Sequence, residues 1–125
     1  MGFEGAKILI VDDEKDLAEA ISTALSYEGY QTLKAHDGEE GLKMALEEKP
    51  DLIFLDIMMP KMDGIAVLKA LKEDEWGRTA KVIIMTVLDD MDKIAEVTEQ
   101  GGEGYILKSD ITLEKIVEKT KETLG

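Results

Sequence analysis

Pro50-Asp51-Leu52-Ile53-Phe54-Leu55-Asp56 is the stretch on which the fold turns. Four consecutive apolar residues, Leu52 to Leu55, leave no polar face, so the segment reads as a strand covered on both sides. Pro50 and Asp51 break what precedes it, and Asp56 ends it on a carboxylate. A parallel sheet with helices on both faces buries a strand in this way.

Outward from that strand the pattern repeats. Lys7-Ile8-Leu9-Ile10-Val11 is a β-branched run followed at once by Asp12 and Asp13, and Val82-Ile83-Ile84-Met85 ends on Thr86. Tyr30 to Ala35 is a strand diluted by Gln31 and Lys34, which suits a sheet edge. Tyr105-Ile106-Leu107 is a short fifth strand ending on Lys108. Amphipathic stretches lie between. From Glu14 to Glu28, Leu17, Ile21, Ala24 and Leu25 recur at helical spacing, closed by Gly29. Asp37, with Glu40 three residues on, opens a second helix carrying Leu42, Ala45 and Leu46. Asp63-Gly64 opens a third with Ile65, Leu68 and Leu71 inward. Asp89 and Asp92 cap a fourth that stops near Gly101-Gly102, and Thr112 to Leu124 forms a fifth with Leu113, Ile116, Val117 and Thr120 inward. Five strands alternating with five helices require right-handed crossovers, hence a doubly wound, three-layer α/β sandwich. At roughly 150 residues per domain, the 125 residues make one domain, 1–125.

Composition narrows the function. Lys and Arg number 15 against 28 Asp and Glu, a net charge of −13 that repels phosphate backbones and anionic lipid. Neither nucleic acid nor a membrane is expected as a direct partner. With no cysteine there is no disulfide, thiolate zinc site or thiol nucleophile. His36 is the single histidine, expected to be a solvated loop residue with no second histidine to complete a metal or triad cluster. No apolar run reaches membrane length and no signal peptide opens the chain, so a cytoplasmic location is expected.

The chemistry collects at strand ends. Asp12, Asp13, Asp56, Thr86 and Lys108 follow or end four strands that point the same way, which gathers them at the carboxyl edge where open α/β sheets bind ligands. Three close carboxylates raise one another's pKa unless a counter-charge intervenes. An all-oxygen site beside a phosphoryl group suits Mg²⁺ better than Ca²⁺. Lys108 adds a mobile positive charge. Carboxylate, Mg²⁺ and lysine together are what phosphoryl transfer onto an aspartate requires.

The runs Ile8-Leu9-Ile10-Val11-Asp12-Asp13-Glu14, Asp51 to Gly64, Ile84-Met85-Thr86 and Gly104-Tyr105-Ile106-Leu107-Lys108 resemble a response-regulator receiver domain of two-component signalling, from about Lys7 to Leu124. The resemblance implies the flavodoxin-like strand order 2-1-3-4-5. It implies Asp56 as phosphoacceptor, Asp13 and Asp12 as direct and water-mediated Mg²⁺ ligands, and the Met58 carbonyl as a further ligand. Lys108 and Thr86 would contact the phosphoryl group, and Tyr105 would move inward with Thr86 as a switch. The implied partners are a sensor histidine kinase or histidine phosphotransfer protein as donor. A downstream protein would be met by the fourth helix, fifth strand and fifth helix. The protein would be a monomer or a phosphorylation-linked dimer. It would not be an enzyme beyond its own phosphorylation and dephosphorylation. Because the chain ends with its fifth helix, a stand-alone receiver is expected.

Two positions depart from the receiver pattern: Ser109 replaces the usual proline after the lysine, and Val87 stands where a small residue is usual, narrowing the entry for a donor. Met58 and Leu88, both apolar, leave nothing to orient a hydrolytic water, which implies slow dephosphorylation. Other readings fare worse. An aspartate-nucleophile phosphatase needs an acid at position 58, which is Met, and a flavin module needs a Ser/Thr/Gly-rich loop where Asp12-Asp13-Glu14 stands. The runner-up is a receiver-like interaction module that works without phosphorylation.

Overall fold

The computed structural model describes residues 5–59, 61–87, 95–96, 99 and 103–124. Its strands are β1 (Lys7–Val11), β2 (Gln31–Ala35), β3 (Leu52–Asp56), β4 (Val82–Thr86) and β5 (Gly104–Leu107), all parallel, in the order β2-β1-β3-β4-β5. The helices are α1 (Lys15–Tyr27), α2 (Gly38–Glu48), α3 (Gly64–Glu73) and α4 (Leu113–Leu124), with short 3₁₀ turns at Gly77–Thr79 and Lys108–Asp110. The fold is therefore the doubly wound one anticipated. Four α-helices have both ends among the described residues; the helix expected from Asp89 to about Gly101 lies largely outside them, and its described residues Ala95, Glu96 and Glu99 are helical.

Strand alternation sorts the core onto two faces. Leu9, Val11, Ile53, Leu55, Val82 and Ile84 pack with Ala45 of α2 and Val67, Leu68 and Leu71 of α3. Ile8, Ile10, Leu52, Phe54, Ile83 and Met85 pack with Ala18, Ile21 and Leu25 of α1 and Ile116 of α4. Successive residues of a strand point to opposite sides, so continuous apolar runs are what a sheet covered on both faces demands. β3 is buried at every position, whereas only Ala35 is buried in β2, as expected for an edge strand.

Local signals set the helix ends. The Asp37 carboxylate accepts the Glu40 N–H and the Asp63 carboxylate accepts the Ala66 N–H, caps that stabilise each helix by about 1 kcal/mol. Gly29 follows α1 at φ 96°, a conformation that favours glycine. α4 departs from expectation in one position. Ile116 and Thr120 are fully buried, but Leu113 is 43% exposed. The inward stripe of α4 is centred on Ile116 and Thr120, one turn apart. Leu113 shares that face but is the first residue of α4, where the packing runs out, and it lines a groove with Ala20, Ala24, Tyr27 and Val117.

Candidate functional site

The register of the central strands builds the site. Val11 pairs with Leu55, so Asp12, one residue beyond β1, and Asp56, the last residue of β3, stand side by side at the carboxyl edge. Thr86 ends β4 and pairs with Leu107, immediately before Lys108. The backbone continues this economy of space. The Gly64 N–H donates to the Ile57 carbonyl at 2.8 Å, and a Cβ on Gly64 would collide with the Asp56 carbonyl oxygen. Glycine at the start of α3 is thus what lets that helix close against the strand end bearing Asp56.

The charges are packed tightly and unevenly. Asp12 and Thr86 are fully buried and Asp56 is 2% exposed. The Lys108 ammonium donates to Asp12 Oδ1 and Asp56 Oδ2, both at 3.1 Å, and to Glu14 Oε1 at 3.2 Å. Asp12 Oδ2 lies 2.9 Å from the same nitrogen as an ion pair yet has no hydrogen bond of its own. The Glu14 N–H donates to Asp12 Oδ1 at 2.8 Å, and the Met58 N–H to Asp56 Oδ1 at 3.2 Å. Asp13 is exposed, and one oxygen from each of Asp12, Asp13 and Asp56 falls within a 4.8 Å cluster.

Electrostatics follow from that crowding. Burial first, and then the charge of Asp12, push the Asp56 carboxyl up to about 7, against the lowering influence of Lys108 and the Met58 N–H. Burial works against the Lys108 ammonium, but its hydrogen bonds and charge pairing with Asp12 and Asp56 outweigh it, so the proton is held more tightly than usual. One lysine thus pairs with three acids, Asp12, Glu14 and Asp56, and a fourth, Asp13, lies in the same cluster. A buried carboxylate oxygen without a hydrogen bond, in an all-oxygen cluster carrying excess negative charge, fits a small hard cation.

Asp12, Asp13, Asp56 and Lys108 are therefore brought together as expected. Thr86 is placed in the strand beside Asp56, and Tyr105, paired with Ile84, shares the sheet face of Thr86 and is 43% exposed. Met58 is 54% exposed, and its described contact with the site is its N–H on Asp56. Val87 is 61% exposed and flanks a cleft with Glu14, Leu17, Lys108, Ser109 and Ile111, beside the lysine. No peptide bond among the described residues is cis, including that between Lys108 and Ser109. Leu88 lies outside the described residues.

Two residues escaped the sequence reading. Glu14 was visible as a third consecutive acid, but its contact with Lys108 spans 94 positions. His36 is a correction: it is half-buried, and its ring Nδ1–H donates to the Asp12 carbonyl at 3.1 Å, so it is no free solvated side chain. The turn after β2 folds back against the loop after β1, and the carbonyl it meets fixes the tautomer.

Comparison with known proteins agrees with this geometry. Residues 8–121 match the response regulator receiver domain family. The chain is 42% identical over 103 residues to the alkaline phosphatase synthesis transcriptional regulatory protein PhoP of Bacillus subtilis, covering 82% of this chain and 42% of that protein. It is 37% identical over 118 residues to the probable transcriptional regulatory protein TcrX of Mycobacterium tuberculosis, covering 94% of this chain and 49% of that protein. The chain thus spans half or less of these relatives. Among solved structures it superposes on the Francisella response regulator 1452 receiver domain with a TM-score of 0.88 and 30% identity, over 96% of this chain and 97% of that one. The chemotaxis response regulator CheY4 of Vibrio cholerae gives a TM-score of 0.89 at 27% identity, over 95% of this chain and 98% of that one.

Proposed function

This chain belongs to the response regulator receiver domain family of two-component systems, and from that membership we propose that Asp56 is its phosphoacceptor. The observation that carries the reading is the Lys108 ammonium held 3.1 Å from Asp56 Oδ2 in a buried cluster with surplus acid. In the proposed step an Asp56 oxygen attacks the phosphorus of a phosphohistidine on a sensor kinase or phosphotransfer protein. The new O–P bond forms as the N–P bond breaks, and the imidazole leaves with the electron pair. Lys108 neutralises charge on the transferred group, which is where most of the barrier lowering in such transfers arises. Asp12, Asp13 and Asp56, with the Met58 carbonyl, would hold Mg²⁺, which supplies further charge neutralisation when bound. Thr86 then contacts the phosphoryl group, and Tyr105 follows it inward. That movement alters a surface read by a downstream protein at β5, α4 and the helix expected between β4 and β5.

On this reading the protein works in the cytoplasm, as a monomer or a phosphorylation-linked dimer, and catalyses only its own phosphorylation and dephosphorylation. Dephosphorylation is slow, because Met58 carries no group to orient water beside Asp56. Intact mass spectrometry after incubation with acetyl phosphate tests the proposal. One phosphoryl adduct is expected with Mg²⁺ and almost none after chelation. No adduct under either condition would refute it in favour of a phosphorylation-independent interaction module.

A further inference from the structure

The three clustered aspartates hold their positions by different means. Asp56 is fixed by Lys108 and the Met58 N–H, and Asp12 by Lys108 and the Glu14 N–H. The Asp13 carboxylate has no hydrogen bond or ion pair among the described residues, so what directs it toward the cluster is the Cα–Cβ direction that its backbone sets. That backbone is clamped from one side. The Asp12 N–H donates to the Ala35 carbonyl at 3.0 Å, and the next residue in the chain, His36, returns Nδ1–H to the Asp12 carbonyl at 3.1 Å. No other described donor reaches that carbonyl. His36 is itself anchored, since its main-chain N–H donates to Glu40 Oε1 at 2.9 Å and the Glu40 N–H donates to the α2 cap Asp37 at 2.8 Å.

We infer that His36 is a positioning residue for the cation site. By holding the Asp12–Asp13 peptide plane it aims the otherwise unsupported Asp13 carboxylate at Asp12 and Asp56. The inference rests on the proposed reading of the cluster as a Mg²⁺ site. It does not depend on the charge of the ring, because Nδ1 bears a hydrogen in the imidazolium as well as in this neutral tautomer. A group one step removed from a metal commonly changes affinity about tenfold or more when deleted. Here the effect passes through a peptide bond, so the low end of that range applies.

Calorimetric titration of the full chain with Mg²⁺ alone, on the unaltered protein and on Asp13→Ala, His36→Ala and His36→Asn, tests it. His36→Ala is expected to bind Mg²⁺ about tenfold more weakly, while His36→Asn, which keeps an N–H in place, stays within about threefold. His36 is the only histidine, so its imidazole resonances are assigned without ambiguity, and they are expected to shift on Mg²⁺ saturation. If Asp13→Ala leaves the affinity unchanged, the Mg²⁺ reading itself fails, and this inference with it. If Asp13→Ala weakens binding and His36→Ala does not, only the positioning role is overturned. Should His36→Ala fail to fold, imidazole resonances unmoved by Mg²⁺ in the unaltered protein overturn it.

Discussion

A lysine meets carboxylates at each end of the sheet, and the two settings differ in what surrounds the charge. At the amino edge, the Lys7 N–H donates to Asp51 at 2.7 Å and its ammonium pairs with Glu48 at 3.0 Å, with the Lys7 and Glu48 side chains 32% and 43% exposed. At the carboxyl edge, the Lys108 side chain is 9% exposed and faces Asp12 and Asp56 at 0% and 3%. Water screens the first arrangement, which costs little to build and contributes little when made. The second is enclosed and overloaded with acid, so removing the lysine leaves buried carboxylates uncompensated, whereas removing a carboxylate relieves repulsion. An exposed, balanced pair closes a fold, whereas a buried, unbalanced one stores electrostatic tension that a ligand can relieve.

The largest expected effect comes from Asp56→Asn. An amide is no nucleophile toward a phosphoryl donor, so the acetyl phosphate adduct disappears from the mass spectrum, while Asp51→Asn at the opposite edge leaves it intact. Equal adduct in both variants would abolish the distinction between the edges.

Next in size is the stability difference between the two lysines. Lys108→Ala should cost the Mg²⁺-free fold about 3 kcal/mol in urea denaturation at neutral pH, since it strands buried carboxylates. Lys7→Ala should cost less than about 1 kcal/mol. Comparable losses would show that burial at the carboxyl edge does not amplify the pairing.

The smallest effect is a pH dependence. The Asp56 carboxyl is raised from its ordinary 3.8 to about 7, so the folded state holds that proton more tightly than the unfolded chain does. The resulting stability is fully present below pH 4 and is lost as pH rises through 7. In chelator, Asp56→Asn should therefore melt at a higher temperature than the unaltered protein at pH 8, and the gap should close toward pH 4. A gap that widens on acidification contradicts the assigned sign.

These contrasts explain what could be read in advance. Leu52 to Leu55 declared a doubly covered strand because burial on two faces leaves a continuous apolar run. Asp37 and Asp63 declared helix starts because capping is local. The gathering of Asp12, Asp56 and Lys108 was legible because parallel strands share one direction, so strand-end residues meet whatever their separation in sequence. Glu14 and His36 were not legible in their roles. Their contacts with Lys108 and the Asp12 carbonyl span 94 and 24 positions and depend on how two loops lie, which no periodicity encodes. Leu113 failed for a different reason. An apolar residue at helical spacing marks a stripe, but the spacing does not tell how far toward the helix end that stripe stays covered.

Locating the phosphoryl group tests the central claim most directly. Treating the acetyl phosphate adduct with borohydride, which reduces an acyl phosphate to the alcohol, and sequencing the peptides by mass spectrometry should place the change at Asp56 and nowhere else. Reduction at Asp12, Asp13 or Glu14, with Asp56 unmodified, would contradict the account.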